Sequence, residues 1–333
     1  MMSDSASLSR RDLIRRGAIG AAGLGVLSQA VHAAERLSGG PHDPMRAGTV
    51  GTVKGGALDP LRFLEHFDYG QVSQLASGQT LREYDITAVD REIEVAPGVF
   101  YPAWTYNGQV PGPTIRTTEG DRVRVHFRNA GTHAHTIHFH GVHPANMDGV
   151  FEPVHPGEEF VYEFDAKPAG LHLYHCHAIP LKKHIAKGLY GAFIVDPVEA
   201  RPPAREMVMV LNGFDTNFDG ENEVYAANTI AFAYQNQPIQ VVKHELQRIY
   251  MVNLLEFDLV NSMHLHGNFF HVYRTGTSRT PHEFTDTLMM CQGERHILEF
   301  AYEDVGRFMF HAHQSEFTEL GWMGMFEVVE PST

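Results

Sequence analysis

Three consecutive residues, His175, Cys176 and His177, combine a thiol with two imidazoles. On a β-strand, neighbouring side chains point to opposite faces, so the two imidazoles face one way and the thiol faces the other. Thiolate is a soft metal ligand, whereas imidazole suits copper, zinc, iron and nickel. The tripeptide can therefore supply ligands to two different metal sites that are joined by a few covalent bonds.

A second group of ligands belongs to the thiol side. His184 follows Cys176 by eight residues, which is enough for a loop to return it to the sulfur, and His135 precedes a His-rich strand. Two imidazoles and one thiolate with a weak or absent axial ligand describe a blue copper centre. Leu189 stands where the axial residue is expected, and leucine cannot ligate. Zinc is disfavoured because one Cys and two His leave its tetrahedral site open.

Four His-x-His pairs stand out in the chain because they recur at matching positions, two in each half. Residues i and i+2 of a strand share a face, so each pair presents two imidazoles to one place. One pair arises easily by chance, but four pairs at matching positions indicate a common site. Eight imidazoles are too many for one ion, so the sequence predicts a metal cluster. The pairs are His138 and His140, His175 and His177, His264 and His266, and His311 and His313.

The second half of the chain repeats the first. The motif IHFHG at 137–141 recurs as MHLHG at 263–267, and LYHCH at 173–177 recurs as MFHAH at 309–313. Short alternating segments such as RVRVHF at 122–127, with turns between them, are typical of β-sandwiches. The expected fold is therefore all-β, with two Greek-key β-sandwich domains.

The repeat is incomplete at the thiol side. Asn261 stands where the first copy has His135. Ala312 replaces Cys176, and no His follows His313. The second copy is therefore expected to supply cluster ligands only.

Composition and charge restrict the possible partners. The chain has 333 residues, is 43% hydrophobic and carries a formal net charge of −14. Its length suggests two domains. The negative charge argues against binding to nucleic acid or to anionic membranes. With Cys176 used as a ligand no disulfide is expected, and Cys291 is expected to pack as a small apolar residue.

The N-terminal 33 residues are expected to be a signal peptide. SRRDLI at 9–14 resembles a twin-arginine signal, a short apolar stretch rich in Ala and Gly follows, and Val31–Ala33 fits a cleavage site. The stretch is too short to span a membrane. The mature protein is therefore expected to be periplasmic or secreted, exported by the twin-arginine route and free of the membrane.

Turn and loop residues divide the rest of the chain. Residues 34–80 are expected to form an N-terminal arm that contains a short helix. The first sandwich is expected at 81–200, with the thiol site and half of the cluster. The second is expected at 201–333, with the other half. A polar loop at 212–220 resembles a calcium loop but is too short for the full pattern, and a turn is expected there.

These motifs together resemble those of two-domain multicopper oxidases, also called two-domain laccases, of the type with blue copper in the first domain. The shared motifs are His-x-His-Gly, His-Cys-His-x(6)-His-x(4)-Leu, His-Leu-His-Gly and His-x-His, and they cover most of residues 81–330. The resemblance implies cupredoxin-like domains and four copper ions per subunit. It also implies a homotrimer, with each cluster between the first domain of one subunit and the second domain of the next.

The resemblance implies a role for each ligand. Asp148 is expected to act as a proton relay, because the family often has an acidic residue there; the alternative is a turn Asp before Gly. The ligands implied are His135, Cys176 and His184 for type 1 copper with Leu189 at the axial position, His138 and His264 for type 2, and His140, His175, His177, His266, His311 and His313 for the type 3 pair.

The activity implied is one-electron oxidation of phenolic or similar reductants near His184, coupled to four-electron reduction of dioxygen to water. Copper nitrite reductases are the main alternative, because they share the two-domain design and a similarly long loop after Cys176. They carry Asp at the position of His138, a non-ligand at that of His177, and Met rather than Leu189. The extra imidazoles favour a laccase-like oxidase. A copper electron-transfer protein without turnover is the remaining alternative.

Overall fold

β-Strands dominate residues 59–332, which are the residues that the computed structural model describes. The expected signal peptide and the beginning of the expected arm lie outside the described residues. Among residues 59–332 there is no helix with the length and apolar character needed to cross a membrane.

Residues 59–200 contain the first sandwich and the end of the expected arm, whose short helix packs against the second sandwich. In chain order the elements are α1 (Pro60–Glu65), β1 (Phe67–Asp68), β2 (Gln71–Gln74), β3 (Thr80–Ala96), β4 (Val99–Tyr106), β5 (Thr114–Thr118), β6 (Arg122–Asn129), β7 (His138–Phe139), a 3₁₀ turn (Ala145–Met147), β8 (Glu159–Asp165), β9 (Gly170–His175), α2 (Leu181–Ala186) and β10 (Tyr190–Asp196). One sheet has the order β1-β5-β10-β9-β7, and the other has the order β2-β3-β6-β8, with β4 paired to β3.

The second sandwich has the same construction. Its elements are β11 (Arg205–Phe214), β12 (Val224–Ala227), α3 (Ala233–Asn236), β13 (Ile239–Val242), β14 (Gln247–Asn253), β15 (Val260–Leu265), β16 (Phe270–Arg274), β17 (Glu283–Thr285), β18 (Thr287–Cys291), β19 (Arg295–Phe300), β20 (Gly306–His311), α4 (Ser315–Glu319) and β21 (Met323–Val329). The sheets have the orders β12-β11-β14-β19-β16-β17 and β13-β21-β20-β15-β18.

The repeat seen in the sequence is present in the strand pairing. In the first sandwich β5 runs parallel to β10, which is antiparallel to β9, which pairs with β7. In the second, β13, β21, β20 and β15 follow with the same directions. The expected all-β fold with two sandwich domains is confirmed.

Alternation along the strands explains why these segments form sheets. In β6 the side chains of Val123, Val125 and Phe127 are buried, while the residues between them face outward. The buried set joins an apolar cluster that includes Cys176. Each such side chain stabilises the fold by about 1.5–3 kcal/mol when fully buried. The same cluster therefore holds both the sandwich and the predicted thiol ligand.

The prediction that Cys291 packs as a small apolar residue is wrong. It is the last residue of β18, in which Leu288 and Met290 are buried and Met289 is exposed. Strand alternation therefore places Cys291 on the solvent face with Met289. Both cysteines of the chain are free thiols, and Cys176 is the buried one.

An ion network joins the two sandwiches. Arg116 of β5 contacts Asp196 at 2.8 Å and Glu206 at 2.6 Å, and Arg248 of β14 contacts Glu206 at 3.0 Å and Glu299 at 2.6 Å. Burial raises the pKa of Glu206, but hydrogen bonds from its partners outweigh burial and hold the pKa below its ordinary value. Glu206 is therefore ionised and links a strand of each sandwich.

Replacing Glu206 by Gln should lower the free energy of unfolding by about 1–3 kcal/mol, because two largely buried guanidinium groups each lose one of their two carboxylate partners. Its side chain is 21% exposed, which moderates the loss. Since the pKa is lowered in the folded state, this stabilisation is present above pH 4.5 and is lost as the pH falls through the folded-state pKa. Urea unfolding followed by circular dichroism measures both effects.

The matched control for this prediction is Glu327→Gln. Glu327 pairs with Arg307 at 3.3 Å on the surface, where the two side chains are 40% and 67% exposed. An exposed pair of this kind contributes about 0–1 kcal/mol. Equal losses in the two variants would contradict the role given to the network.

Candidate metal centres

The three residues predicted for the thiol side lie together, and we call them the thiol site. Cys176 directly follows β9, His184 lies in α2, and His135 lies in the loop before β7. The Sγ of Cys176 is 3.2 Å from Nδ1 of His184 and 4.0 Å from Nδ1 of His135. The two Nδ1 atoms are 3.2 Å apart. All three side chains are buried, with at most 3% exposure.

Burial keeps the ligands of the thiol site neutral. Desolvation, with repulsion from neighbouring charged groups, lowers the pKa of His135 to about 3 and that of His184 to about 4. Neutral imidazole is the form that binds metals. Desolvation also raises the pKa of the Cys176 thiol to about 11, so a bound cation is needed to stabilise the thiolate. This soft donor with two imidazoles fits copper.

Main-chain hydrogen bonds fix the thiol. The amide of Cys176 donates to the carbonyl of Leu189 at 2.9 Å, and its Sγ accepts from the amide of Thr136 at 3.3 Å. The side chain of Leu189 is fully buried in the same apolar cluster as Cys176. Leu189 is therefore held next to Cys176 by its main chain, and its side chain offers no donor atom.

The first imidazole set comprises His138, His140, His175 and His177. His138 and His175 are opposite one another in the pairing of β7 with β9, and Nε2 of His140 is 3.3 Å from Nε2 of His175. The ring of His138 lies 5.1–5.6 Å from the other three rings. Desolvation lowers the pKa of His140 to about 3 and that of His175 to about 4.

Hydrogen bonds determine which nitrogen of the first set can bind a metal. Nδ1 of His138 lies 2.8 Å from the carbonyl oxygen of Asp148, and Nδ1 of His175 lies 2.9 Å from that of Cys176. A carbonyl can only accept, so each Nδ1 carries the proton. The Nε2 lone pairs of His138 and His175 are therefore available to a metal ion.

The second imidazole set, His264, His266, His311 and His313, repeats this arrangement. His264 and His311 are opposite one another in the pairing of β15 with β20, and the Nε2 atoms of His266 and His311 are 2.9 Å apart. Nδ1 of His264 donates to the carbonyl of Asp286 at 2.9 Å. His266 and His313 are exposed, so this set lies open to solvent.

The two imidazole sets are separate. Groups of potential metal ligands in residues 59–332 combine histidines of the first set or of the second set, and none combines both. The eight imidazoles of the predicted cluster therefore do not come together within one chain. Each set presents four imidazoles from two paired strands.

In the second sandwich, apolar residues fill the place of the thiol site. In the first sandwich Leu189 accepts from the Cys amide and donates to the carbonyl of His184. The corresponding bonds run from Ala312 to the carbonyl of Trp322 at 3.2 Å and from Trp322 to the carbonyl of Phe317 at 2.9 Å. Phe317 thus stands at the position of His184, and Trp322 at that of Leu189. The expectation that this copy lacks the thiol-site ligands agrees with this geometry.

Asp148 lies beside the first imidazole set. Its Oδ1 is 3.1 Å from Nδ1 of His138 and 3.7 Å from Nε2 of His143. It is followed by Gly149 at φ +71°, where a Cβ would lie 2.0 Å from the carbonyl oxygen of Ile137. Asp148 therefore has both features considered for it, a turn position before Gly and a carboxylate next to a predicted ligand. Sequence spacing did not single out His143.

Trp104 was also missed from the sequence. It lies in β4, and its ring centroid is 4.9 Å from that of His184 and 5.3 Å from that of His135. The ring centroid of Trp104 also lies 4.5 Å from that of His133. An isolated Trp belongs to no spacing pattern, and its strand lies far from the ligands in the chain, so the sequence offered no signal for it.

The loop after β11, predicted as a turn, brings Asp215, Asp219 and Glu223 within reach of one another. Burial, followed by repulsion from Asp215, raises the pKa of Glu223 to about 7. The loop satisfies these oxygens itself: the amide of Gly220 donates to Asp215 at 2.8 Å, and that of Thr216 donates to Glu223 at 2.7 Å. Hydrogen bonding within the turn therefore accounts for the cluster.

Family models described as multicopper oxidase match residues 88–200 and 201–332. The chain therefore belongs to the multicopper oxidase family, its sandwiches are cupredoxin-like, and copper is its metal. A solved multicopper oxidase is 56% identical with a TM-score of 0.81, and the match covers 82% of this chain and 98% of that one.

Copper nitrite reductases are also similar to this chain. The structure of the enzyme from Nitrosomonas europaea is 27% identical with a TM-score of 0.70, and the match covers 75% of this chain and 94% of that one. The copper-containing nitrite reductase of Neisseria meningitidis serogroup A is 29% identical over 246 residues, which are 68% of this chain and 63% of that protein. The chain thus spans less than two thirds of that reductase. All of these relatives are copper-containing oxidoreductases.

Proposed function

We propose that the protein is a laccase-like oxidase that couples one-electron oxidation of phenolic or similar small reductants to four-electron reduction of dioxygen to water. The observation that carries this proposal is the pair of imidazole sets, each with four histidines in the same strand register. A mononuclear copper site needs far fewer imidazoles. A nitrite reductase would leave most of them without a role.

Four copper ions per subunit fit the available donors. The thiol site would hold type 1 copper, and its lack of an axial donor at Leu189 favours the reduced ion. Copper supplies one-electron redox chemistry and the binding of dioxygen when present. In the two imidazole sets His138 and His264 would hold type 2 copper. The remaining six histidines, His140, His175, His177, His266, His311 and His313, would hold the type 3 pair.

The chain itself connects the thiol site to the first imidazole set. Cys176 is bonded directly to His175 and His177, so the two sites are separated by a few covalent bonds. The carbonyl of Cys176 also accepts a hydrogen bond from Nδ1 of His175 at 2.9 Å, which provides a second connection. Electrons leaving the sulfur side therefore have a short bonded route to the imidazole side.

We propose that each cluster forms between subunits of a homotrimer, from the first imidazole set of one subunit and the second set of its neighbour. Separation of the sets within the chain supports this arrangement, as does the exposure of His266 and His313. Each set of four repeats the other's cross-strand pairing, so two sets can face one another with the lone pairs of both directed inward.

Mixing inactive subunits tests this assembly. His140→Ala damages the first set only, and His266→Ala damages the second set only. Each variant alone should be inactive in oxygen uptake. Refolded or co-expressed mixtures should regain activity, because some interfaces then combine an undamaged first set with an undamaged second set. If mixed oligomers, verified by mass spectrometry, recovered no activity, both imidazole sets of a cluster would have to come from the same subunit.

Asp148 is proposed to hold a proton for the first imidazole set. Its carboxylate lies 3.1 Å from His138 and is 30% exposed, so it can exchange protons with solvent. Asp148→Asn keeps the shape but removes the proton-binding group, and oxygen uptake should fall by about 10²-fold. Anaerobic reduction of the thiol-site copper should keep its wild-type rate, because it needs no proton at Asp148. Unchanged oxygen uptake would contradict the role.

Nitrite reduction is the second candidate function, because copper nitrite reductases match most of the chain. Copper analysis of the loaded protein, with visible and paramagnetic resonance spectra, distinguishes the two. Four copper ions per chain, a blue band, a type 2 signal and oxygen uptake with a phenol are expected. Two copper ions with turnover of nitrite would overturn the oxidase. One blue copper without turnover would indicate an electron carrier.

Export by the twin-arginine route is proposed on the SRRDLI segment at 9–14. Replacing Arg10 and Arg11 by Lys should retain the protein, with its uncleaved N-terminus, inside the cell. Cell fractionation with N-terminal sequencing measures this, and export of the double variant at the normal level would refute the route.

A further inference from the structure

The imidazoles of the thiol site are closed to a reductant in solution. His135 has no exposed surface and His184 is 3% exposed. A reductant in solution therefore cannot contact the ring of His184 directly, contrary to the expectation from the sequence, because other residues cover the ring. Whatever covers these two rings lies between the reductant and the copper.

Trp104 covers both imidazoles at once. Its centroid lies 4.9 Å from that of His184 and 5.3 Å from that of His135, while Trp104 itself is 1% exposed. Its amide donates to the carbonyl of Lys187 at 2.8 Å, which fixes β4 against the end of α2, the helix that carries His184. The indole is therefore held in contact with both nitrogen ligands.

His133 connects Trp104 with the surface. The two rings lie 4.5 Å apart with an angle of 36° between their planes, the closest ring contact that Trp104 makes among the described residues. His133 is half-buried, whereas Trp104 is buried, so the rings run from solvent towards the thiol site in the order His133, Trp104, His184. Each ring thus contacts the next, with angles of 36° and 59° between successive planes.

Two ammonium groups lie near the indole. Nζ of Lys183 is 5.2 Å and Nζ of Lys187 is 5.8 Å from the ring centroid of Trp104. Positive charge at these distances is attracted to the neutral ring and repelled by an oxidised ring. Removing an electron from Trp104 is therefore disfavoured, and the indole can transmit an electron without being oxidised itself.

We propose that electrons reach the thiol site through Trp104, with His133 as the surface group that the reductant contacts. This rests on the proposed function only in that the thiol site holds type 1 copper. The donor loses one electron and Cu(II) becomes Cu(I). No bond forms or breaks, and the indole radical is not an intermediate.

Anaerobic stopped-flow reduction of the copper-loaded protein by hydroquinone tests the proposal, with bleaching of the blue band as the signal. Trp104→Leu removes the ring, Trp104→Phe keeps a smaller one, and His133→Gln removes the surface ring. His126→Gln is the matched control, because His126 is a half-exposed histidine of β6 that pairs with Glu83 at 3.2 Å, away from the thiol site.

The rate should fall about tenfold or more in Trp104→Leu, equivalent to about 1.4 kcal/mol in the barrier, less in Trp104→Phe, and severalfold in His133→Gln. His126→Gln should match the wild type. The blue band should be retained, and the potential should shift by less than about 59 mV, the change that alters a one-electron equilibrium tenfold. Freeze-quenched samples should lack an indole radical signal.

A wild-type bleaching rate in Trp104→Leu, with its blue band retained, would overturn the proposal and return the point of electron transfer to the edge of His184. Equal slowing in His133→Gln and His126→Gln would also overturn it. If Trp104→Leu fails to bind copper, the bleaching rates of Trp104→Phe and His133→Gln test the proposal instead, and wild-type rates in both would overturn it. The experiment excludes dioxygen, so failure of the oxidase proposal appears separately, as an absence of oxygen uptake.

Discussion

The architecture depends on side-chain alternation at the end of β9. Because neighbouring side chains diverge, Cys176 enters the apolar core while His175 and His177 face the other imidazoles. The core side is fixed by hydrogen bonds to the amide and sulfur of Cys176, and by the loop that returns His184. Neither side can move alone, since three consecutive residues serve both. Every other feature of the site, from the buried neutral imidazoles to the covering Trp104, is arranged around this division.

Much of this was predictable from the sequence, because ligand chemistry depends on residue type and short-range spacing. The thiol site and both imidazole sets were specified by motifs that fold within paired strands. Spacing does not encode the distance between domains, so the expectation that the two sets of one chain lie apart came from the family resemblance and not from the residues themselves. Trp104 and His143 were missed because single residues belong to no pattern. Cys291 was predicted incorrectly because its face depends on the register of β18, and the sequence alone did not fix that register.

The second sandwich shows which contacts the fold retains when a metal site is absent. It keeps the cross-strand pair of histidines and the main-chain bonds of the loop, with Phe317 and Trp322 at the positions of His184 and Leu189. An empty pocket would lose packing contacts and cost several kcal/mol, so bulky apolar residues fill it. Trp322 also donates its indole N–H to the carbonyl of Ser262 at 2.9 Å, which satisfies its polar atom. The two sandwiches therefore share the same main-chain arrangement and differ in the side chains that it surrounds, which are metal ligands in the first and apolar residues in the second.

If the two imidazole sets meet between subunits, the angle between the sandwiches within a chain determines whether they meet correctly. Metal ligation tolerates errors of about 0.5 Å, so the chain must hold its domains rigidly. The ion network around Glu206 provides this, because it crosses the domain boundary with largely buried charges. Arg295 adds a bond from β19 to the carbonyl of Leu171 at 3.2 Å, at the start of the strand that ends in the ligands. In such an assembly, interdomain bonds far from the metal sites would have a geometric role, because they would fix the position from which each subunit presents its second imidazole set to its neighbour.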